Sequence, residues 1–450
     1  MRLTVSQVVN AVSGETNIPS GEGFFVGSIS TDSRSIKAGA LFVPIVGENF
    51  DGHNFIPQAI EKGAVYVLSE PGKMSIDIPH IIVKDTRKAL LDLAEHYLEF
   101  IGAKVVGITG SAGKTTLKDM IAGILAQKFK TKKTIGNFNN DIGMPLSVFT
   151  LEASDEAIVL EMGMNHAGEI SPLSRAAKPD IAVITNIGDA HIENFENREG
   201  ILHAKLELLE GLKKTGCAFL NGDDPLLTGP IAAKKTYGLT VFFPSSENII
   251  AVKSLGLMGT ECHFNWQDTD VWVRVPLPGS HMVTNALLAT AVCLELGCTP
   301  DNIATGFMDF QTSAGRLNII NANNKTIISD VYNSSPDALK SSLRILSEQR
   351  GRKVAILGDM LELGHMAVQR HKEAGIFAAE IGIDVLITSG DMAKHIHDSY
   401  TSVSTKGTAL NFESKSDFIE KKNEILIDGD IILIKASRGA EFEEITESLV

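Results

Sequence analysis

The stretch Gly107-Ile-Thr-Gly-Ser-Ala-Gly-Lys-Thr-Thr116 constrains the chain more than any other. Before it, Lys104-Val-Val-Gly-Ile-Thr109 is short, apolar and β-branched, the pattern of a buried strand. After it, Leu117, Met120, Ile121, Ile124 and Leu125 recur three and four residues apart, which predicts one apolar face of a helix. Strand, small-residue turn and helix form the context in which a loop carrying Gly113-Lys114-Thr115 binds phosphate. Gly110, Ser111, Ala112 and Gly113 let backbone N–H groups converge on phosphate oxygens, and the helix N-terminus adds partial positive charge. In such a loop Lys114 meets the β- and γ-phosphates, and the Thr115 hydroxyl, followed by Thr116, meets Mg²⁺. The spacing is off by one. The usual pattern leaves four residues between its first glycine and the Gly-Lys pair, whereas Gly107 leaves five. On the residues alone, a plain Gly/Ser turn between strand and helix stays open.

At 450 residues the chain has room for three domains of about 150 residues each. With 44% hydrophobic and 21% charged residues it is ordinary globular material with ample core. A formal net charge of -14 argues against bulk nucleic-acid binding, which wants a basic face. A few local lysines and N–H groups can still reverse the sign inside a cleft that takes an anion. Cys217, Cys262, Cys293 and Cys298 form no Cys-x-x-Cys and no His–Cys metal spacing, so reduced, buried thiols are expected. No run approaches the length of a membrane span and the N-terminus has no long apolar stretch. A cytoplasmic protein without membrane insertion is expected.

Residues 1–98 alternate strand-like and helical segments. Residues 99–313 alternate strand and helix as parallel sheets with crossovers do, and the pattern restarts around Thr312-Ser-Ala-Gly-Arg-Leu317. In the first unit Ser30, Asp32, Ser33 and Arg34 cluster on a turn, as turn chemistry or as ligand contacts; a helix follows over Asn54–Gly63. A helix over Ala89–Phe100 leads into the middle unit. There, Asn137-Phe-Asn-Asn140 is a loop whose Asn139 and Asn140 either offer amide hydrogen bonds to a ligand or cap local turns. Glu161 ends the strand Ala157–Gly163, and His191 follows the strand Asp180–Asn186. Ligands of open α/β sheets bind outside the carboxyl ends of strands. The Gly110 loop, Glu161 and His191 are therefore expected to open into one crevice. There Glu161 and His191 serve as Mg²⁺ ligands or orienters, or else as a paired buried acid and a core histidine. On a helix expected over Arg198–Lys213, Ile201, Leu202, Leu208, Leu209 and Leu212 form an apolar face with Lys205 in its middle. A buried ammonium is costly unless paired or neutralised. Either its stem snorkels to water, or its amine is deprotonated or modified near the crevice. Residues 217–275 read as further strands and turns of the same unit. His281 and Asn285, four apart before and at the start of the helix Ala286–Leu296, touch a nucleotide base or cap the helix. The last unit carries strands Lys325–Asp330, Lys353–Gly358, Asp384–Thr388 and Asp430–Lys435 with helices between, a doubly wound pattern. Its strand ends gather Asp330, Asp359 and Lys435-Ala-Ser-Arg438.

Taken together, Gly107–Thr116, Asn137-Phe-Asn-Asn140, Glu161-Met-Gly163 and Asn186-Ile-Gly-Asp-Ala-His191 resemble the central domain of the Mur ligases. These are the ATP-dependent amide-forming enzymes of peptidoglycan precursor synthesis. The extra residue in the phosphate loop is that family's own spacing, and the resemblance runs in order over essentially all 450 residues. Asp330-Val-Tyr-Asn-Ser-Ser-Pro336 looks like the Asp-x-Tyr-Asn-Ala-Asn-Pro signature of the branch that adds D-alanyl-D-alanine. Ser334 and Ser335 stand there in place of Ala and Asn. Gly358-Asp-Met-Leu-Glu-Leu-Gly364 looks like that branch's second signature unchanged. The Asp-Asn-Pro-Arg tetrapeptide of the branch that adds the third amino acid is absent. Lys435-Ala-Ser-Arg438 departs from the family's Lys-Gly-Ser-Arg at Ala436.

The resemblance implies an α/β fold of three domains. A smaller N-terminal domain over 1–98 takes a UDP-sugar, a central P-loop domain with a parallel sheet over 99–313 takes ATP, and a Rossmann-like C-terminal domain over 314–450 takes the incoming dipeptide. It implies ATP and Mg²⁺ as cofactors, and UDP-N-acetylmuramoyl-tripeptide and D-alanyl-D-alanine as small-molecule substrates. A monomer is expected. It puts Ser30, Asp32, Ser33, Arg34, Asn139 and Asn140 on the UDP-sugar. Gly110, Ser111, Ala112, Gly113, Lys114, Thr115, Thr116, His281, Asn285, Arg316 and Asp330 fall on ATP. Thr115, Glu161, His191 and Lys205, the last as a carbamate, fall on the metals, and Lys114, Glu161, His191 and Lys205 are the implied catalytic set. One alternative is the branch that adds the third amino acid, in which the Asp32-Ser-Arg34 block is similar; another is a folate-type polyglutamate ligase or P-loop kinase, either of which would share Lys114 and Thr115 without needing that block. A non-catalytic nucleotide switch is a further one.

Overall fold

The computed structural model describes residues 3–18, 25–74, 76–311 and 315–450. The expected boundary at 313/314 falls on residues 312–314, which lie outside the described residues.

The N-terminal unit holds a five-stranded sheet in the spatial order Glu15–Thr16, His80–Ile82, Ala64–Ser69, Ala40–Phe42 and Ser28–Ser30. All its pairs are parallel except the one made by the edge strand Glu15–Thr16. The helix expected over Asn54–Gly63 is a 3₁₀ turn, Gly52–Phe55, followed by an α-helix, Ile56–Glu61, with proline in its first turn. The next helix, Thr86–Ile101, starts at Asp85, whose carboxylate accepts from the N–H groups of Arg87 and Lys88. It ends at Gly102, where φ is 72°. This helix packs both on Val5–Val12 and on the helices Gly143–Val148 and Ile170–Ala177 of the next unit. It therefore runs through the expected boundary at 98/99, and the chain passes into the central sheet only after Gly102.

The central sheet has six parallel strands in the order Thr240–Phe242, Cys217–Leu220, Ile181–Ile184, Lys104–Thr109, Ala157–Glu161 and Thr131–Lys133. Ala157–Glu161 and Ile181–Ile184 are buried at every position, as strands covered on both faces should be. Lys104–Thr109 lies between them, so the loops leaving all three open on one edge.

Residues 217–275 do not all continue this sheet. Ile249–Ser254, Thr260–Trp266 and Thr269–Val275 form a separate three-stranded antiparallel sheet. Its inward Cys262, Phe264, Val271 and Val273 alternate with outward Glu261, His263, Trp272 and Arg274, the pattern of a sheet with one wet face. It packs on the helices Ser280–Glu295 and Pro300–Met308. The first of these begins six residues before the expected Ala286 start. The helix expected over Arg198–Lys213 is α-helical only to Leu206 and tightens to 3₁₀ over Glu207–Gly211. At that point the Glu207 carboxylate is drawn onto the N–H groups of Gly168, Ile170 and Ser171.

The C-terminal unit is a second six-stranded sheet, ordered Asn318–Ala322, Lys325–Ser329, Ile431–Lys435, Lys353–Leu357, Val385–Ser389 and Thr408–Phe412. Only its edge hairpin, turning at Asn323 and Asn324 with φ of 48° and 56°, is antiparallel. The doubly wound reading of this unit holds. The four cysteines are free and buried, and no described helix is long and apolar enough to cross a membrane.

Candidate active site

The loop between Lys104–Thr109 and the helix Lys114–Leu125 is shaped by its neighbours. A Cβ on Gly110 would lie 1.8 Å from Thr185 Oγ1, so no other residue fits there. Gly113 has φ of 81°, and a Cβ on it would meet Asn285 Nδ2 at 2.8 Å. Asn186 braces the loop from the next strand end. Its Oδ1 accepts from Ala112 N at 2.9 Å, its Nδ2 donates to Ala112 O at 3.0 Å and its carbonyl accepts from Ser111 N at 3.0 Å. Thr185 Oγ1 donates to Ala112 O at 2.7 Å, and Ser111 Oγ accepts from Gly188 N at 2.8 Å.

Lys114 folds its ammonium back to donate to Gly110 O at 2.7 Å. Burial pushes its pKa down, with Glu161 pulling it back up and Arg316 adding to the depression. On the first turn of the same helix the Thr115 hydroxyl donates to Glu161 Oε2 at 2.8 Å, while Asn139 Nδ2 donates to Glu161 Oε1 at 3.1 Å. Lys118 Nζ lies 3.9 Å from Glu161 and 3.5 Å from Asp119, which also pairs with Lys133 at 2.8 Å.

Lys205 is 1% exposed, which excludes snorkelling, and no hydrogen bond or ion pair of the described residues reaches its amine. Burial, reinforced by the charge of Lys114, pushes its pKa well below the ordinary lysine value. His191 holds a left-handed backbone, φ 63°, and its Nδ1 lies 2.7 Å from Glu362 Oε2. Contact with His191 holds the Glu362 carboxyl below its usual range against burial, and Lys114 adds to this with its charge. Two residues earlier, Asp189 sits between Arg198 Nε at 2.5 Å and Arg370 of the C-terminal unit at 2.8 Å.

A cavity of about 410 Å³ opens between the central and C-terminal units. Its volume is that of a small-molecule site. Ser111, Ala112, Gly113 and Thr116 form one wall, His281 and Asn285 a second, and Arg316, Asp330, Tyr332 and Lys435 a third. Asp330 Oδ2 accepts from Lys435 Nζ at 2.5 Å and Ser342 Oγ at 2.7 Å. Burial would raise the Asp330 pKa, but Lys435, with help from Ser342 and Arg316, holds the carboxyl below its usual value. His281 is pushed down to about 4 by burial, opposed by Asp330 and reinforced by Lys435. The Arg316 guanidinium lies 4.0 Å over the Tyr332 ring, with Arg438 at 5.1 Å.

Of the expected nucleotide residues, Ser111, Ala112, Gly113, Thr116, His281, Asn285, Arg316 and Asp330 share this lining. Gly110, Lys114, Thr115, Glu161, His191 and Lys205 are not part of it. The expected UDP-sugar set divides. Asn139 bonds to Glu161, and Asn140 caps its own turn by accepting from Gly143 N at 2.8 Å. The Asp32 carboxylate accepts from Arg34 N, Nε and Nη2, each at 2.9 Å, and Ser33 Oγ donates to Gln58 at 2.7 Å. Ser30 Oγ accepts from Asp32 N at 3.2 Å. All but the Ser33–Gln58 bond are turn bonds, and the Arg34 side chain is 82% exposed.

Sequence reasoning gave no role to Asn186, Lys118 or Glu362. Asn186 and Glu362 stood inside quoted motifs, but their partners lie far along the chain. Lys118 and Asp119 fall between the apolar residues of the repeat, yet Thr115–Ala122 is buried throughout because helices and sheet enclose it. Among the described residues no group of three or more His, Cys, Asp or Glu could hold a metal ion. The donors beside the loop are the Thr115 hydroxyl and the Glu161 carboxylate, hard oxygens of the kind Mg²⁺ takes when phosphates complete its shell.

Comparison with known proteins bears on this geometry. Three family models match in chain order: "Mur ligase family, catalytic domain" over 26–98, "Mur ligase middle domain" over 108–293 and "Mur ligase, glutamate ligase domain" over 315–438. The UDP-N-acetylmuramoyl-tripeptide–D-alanyl-D-alanine ligase of Bacillus subtilis is 38% identical, covering 100% of this chain and 99% of that protein. The Escherichia coli protein of the same name is 33% identical over 99% and 98%. A crystal structure of MurF from Acinetobacter baumannii superposes with a TM-score of 0.92 at 30% identity, over 100% and 99% of the two chains. MurF ligase from Thermotoga maritima in complex with ADP superposes with a TM-score of 0.83 at 29% identity, over 94% and 96%. Matched in order along its length, and 38% identical end to end to a relative, the chain belongs to the Mur ligase family.

Proposed function

We propose that the chain is an ATP-dependent ligase that joins D-alanyl-D-alanine to UDP-N-acetylmuramoyl-tripeptide, releasing ADP and phosphate. The observation that carries this reading is the end-to-end identity of 38% to a ligase of that name. Asp330-Val-Tyr-Asn-Ser-Ser-Pro336 and Gly358–Gly364 support the choice of branch. In this reading the N-terminal unit takes the UDP-sugar at the Ser30–Arg34 turn, the central unit takes ATP, and the C-terminal unit takes the dipeptide. A reaction on nucleotide-activated precursors and ATP belongs in the cytoplasm.

The 110–116 loop cradles the phosphates, and Lys114 leaves Gly110 O to meet them. His281, Asn285, Arg316 and Asp330 hold the rest of the nucleotide in the cavity they line. Thr115, Glu161 and His191 would hold Mg²⁺, which neutralises charge on the transferring phosphoryl group when bound. Lys205, buried, without a partner among the described residues and held toward its neutral form, is suited to take up CO₂ as a carbamate and so extend the anionic donor set. The terminal carboxylate of the tripeptide attacks the γ-phosphate in line, giving an acyl phosphate and ADP. The dipeptide amine then attacks the acyl carbon, and collapse of the tetrahedral intermediate expels phosphate and leaves the amide. The acyl phosphate must be kept from water, which is the task assigned here to the contacts of Asp189 and His191 with the C-terminal unit.

Phosphate release from ATP tests the reading, with UDP-N-acetylmuramoyl-tripeptide present and D-alanyl-D-alanine added or withheld. Release that needs both is the expected result. Release indifferent to the dipeptide overturns it.

A further inference from the structure

We infer that Glu362 is a positioning residue for the ligase reaction, supplied by the C-terminal unit to the His191 loop of the central unit; this rests on the ligase reading above. The loop carrying Glu362 follows the strand Lys353–Leu357 of one sheet, and the loop carrying His191 follows Ile181–Ile184 of the other. The two side chains meet at 2.7 Å, so the contact exists only while the units are together.

A partly exposed carboxylate–imidazole contact between two domains is by default worth little. Three observations set this one apart. Both residues hold left-handed backbones, each with φ of 63°, a conformation that side-chain-bearing residues adopt only when their surroundings impose it. The Glu362 loop is pinned on the side that precedes Glu362. Met360 N donates to His371 Nε2 at 2.9 Å, Leu361 N donates to Ser437 Oγ at 3.0 Å, and Asp359 Oδ1 accepts from Ala393 N at 2.7 Å. Gly364, with φ of 50°, lets the loop close on the 192–194 turn, since a Cβ there would stand 2.8 Å from the Glu193 Cβ. A rigid loop therefore presents one carboxylate to one imidazole at the phosphate end of the crevice. In this role Glu362 acts through His191. It fixes the His191 ring, and it does so only in the closed arrangement, so the C-terminal unit completes a site that the central unit alone leaves unset.

The test uses the full chain with ATP, UDP-N-acetylmuramoyl-tripeptide and D-alanyl-D-alanine. Glu362→Gln keeps the volume and removes the charge. The expected result is a kcat lower by about 10–100-fold, with the KM for ATP within about twofold of the parent and the Tm unchanged. In a His191→Asn background, adding Glu362→Gln should lower kcat by less than about twofold, because the group it acts through is gone. Leu361→Ala, on the exposed side of the same loop, should match the parent. Parental kcat in Glu362→Gln, or its full loss repeated in the His191→Asn background, overturns the inference alone. An unsubstituted chain without dipeptide-dependent phosphate release overturns the ligase reading and this inference with it.

Discussion

The Thr115 hydroxyl donates to Glu161 Oε2 at 2.8 Å, tying the first turn of the helix Lys114–Leu125 to the last residue of the strand Ala157–Glu161. This bond joins the phosphate loop to the neighbouring strand through one buried carboxylate. Glu161→Gln keeps the size and an acceptor for Thr115 but removes the charge. Phosphate release should fall by about 100-fold or more, equivalent to ~2.7 kcal/mol of barrier. Undiminished release at saturating substrate would remove Glu161 from the reacting centre.

Lys205 makes a prediction in which stability and activity part company. Its amine is buried and no described residue pairs with it, so Lys205→Met should leave the Tm at or above that of the parent. The same change should abolish dipeptide-dependent phosphate release. Lys205→Ala should regain part of its activity when short carboxylic acids are added, since they supply the anionic group that the carbamate is proposed to provide. Full activity of Lys205→Ala without additives would exclude that role.

Gly113→Ala combines two penalties, a left-handed backbone at φ 81° and a Cβ 2.8 Å from Asn285 Nδ2. The first costs about 1–2 kcal/mol for a residue with a side chain, so ATP affinity should drop by about tenfold or more. Calorimetric titration with ATP reads it. Adding Asn285→Ala should not restore parental affinity, because only the steric part is relieved.

His281 sets a pH slope. Burial holds its pKa at about 4 in the folded chain against 6.5 in the unfolded one. Between those values the unfolded chain takes up a proton that the folded chain refuses, so stability falls as pH drops from 6.5 towards 4. Above that window the group contributes no slope. The gap corresponds to about 3 kcal/mol at most. Asp330 and Lys435, the charged groups that face His281, are common to the parent and His281→Asn. Denaturant midpoints at neutral and acidic pH should therefore lie closer together in the variant than in the parent. Equal separations in both would show that His281 does not carry the slope.

Much of this site was legible where the signal was local. A β-branched run, four small loop residues and a three–four apolar repeat were enough for the phosphate loop. A charge inside an apolar stripe was enough to single out Lys205. What escaped depended on partners distant in sequence. The helix after Arg198 tightens at Glu207 because that carboxylate caps a turn 36 to 39 residues back. The sheet of 249–275 was hidden because short antiparallel strands with alternating burial look, in one dimension, like more strands of the main sheet. Asn140 was open between ligand contact and turn cap, and the structure gives it a turn cap. Asn186 and Glu362 owe their meaning to residues that the fold, not the chain order, brings to them.

Arg316 and Leu317, among the first described residues after 311, line the cavity alongside His281 and Asn285. Arg316 and Leu317 are thus a wall of the cavity and not part of a neutral tether. The halves are accordingly not interchangeable cassettes. A chimera that takes its C-terminal half from a relative, with a breakpoint just after 317, would keep the native guanidinium but set it over a foreign Tyr332. One broken just before 315 would import joint and ring together, and it is the recombinant that should retain nucleotide binding.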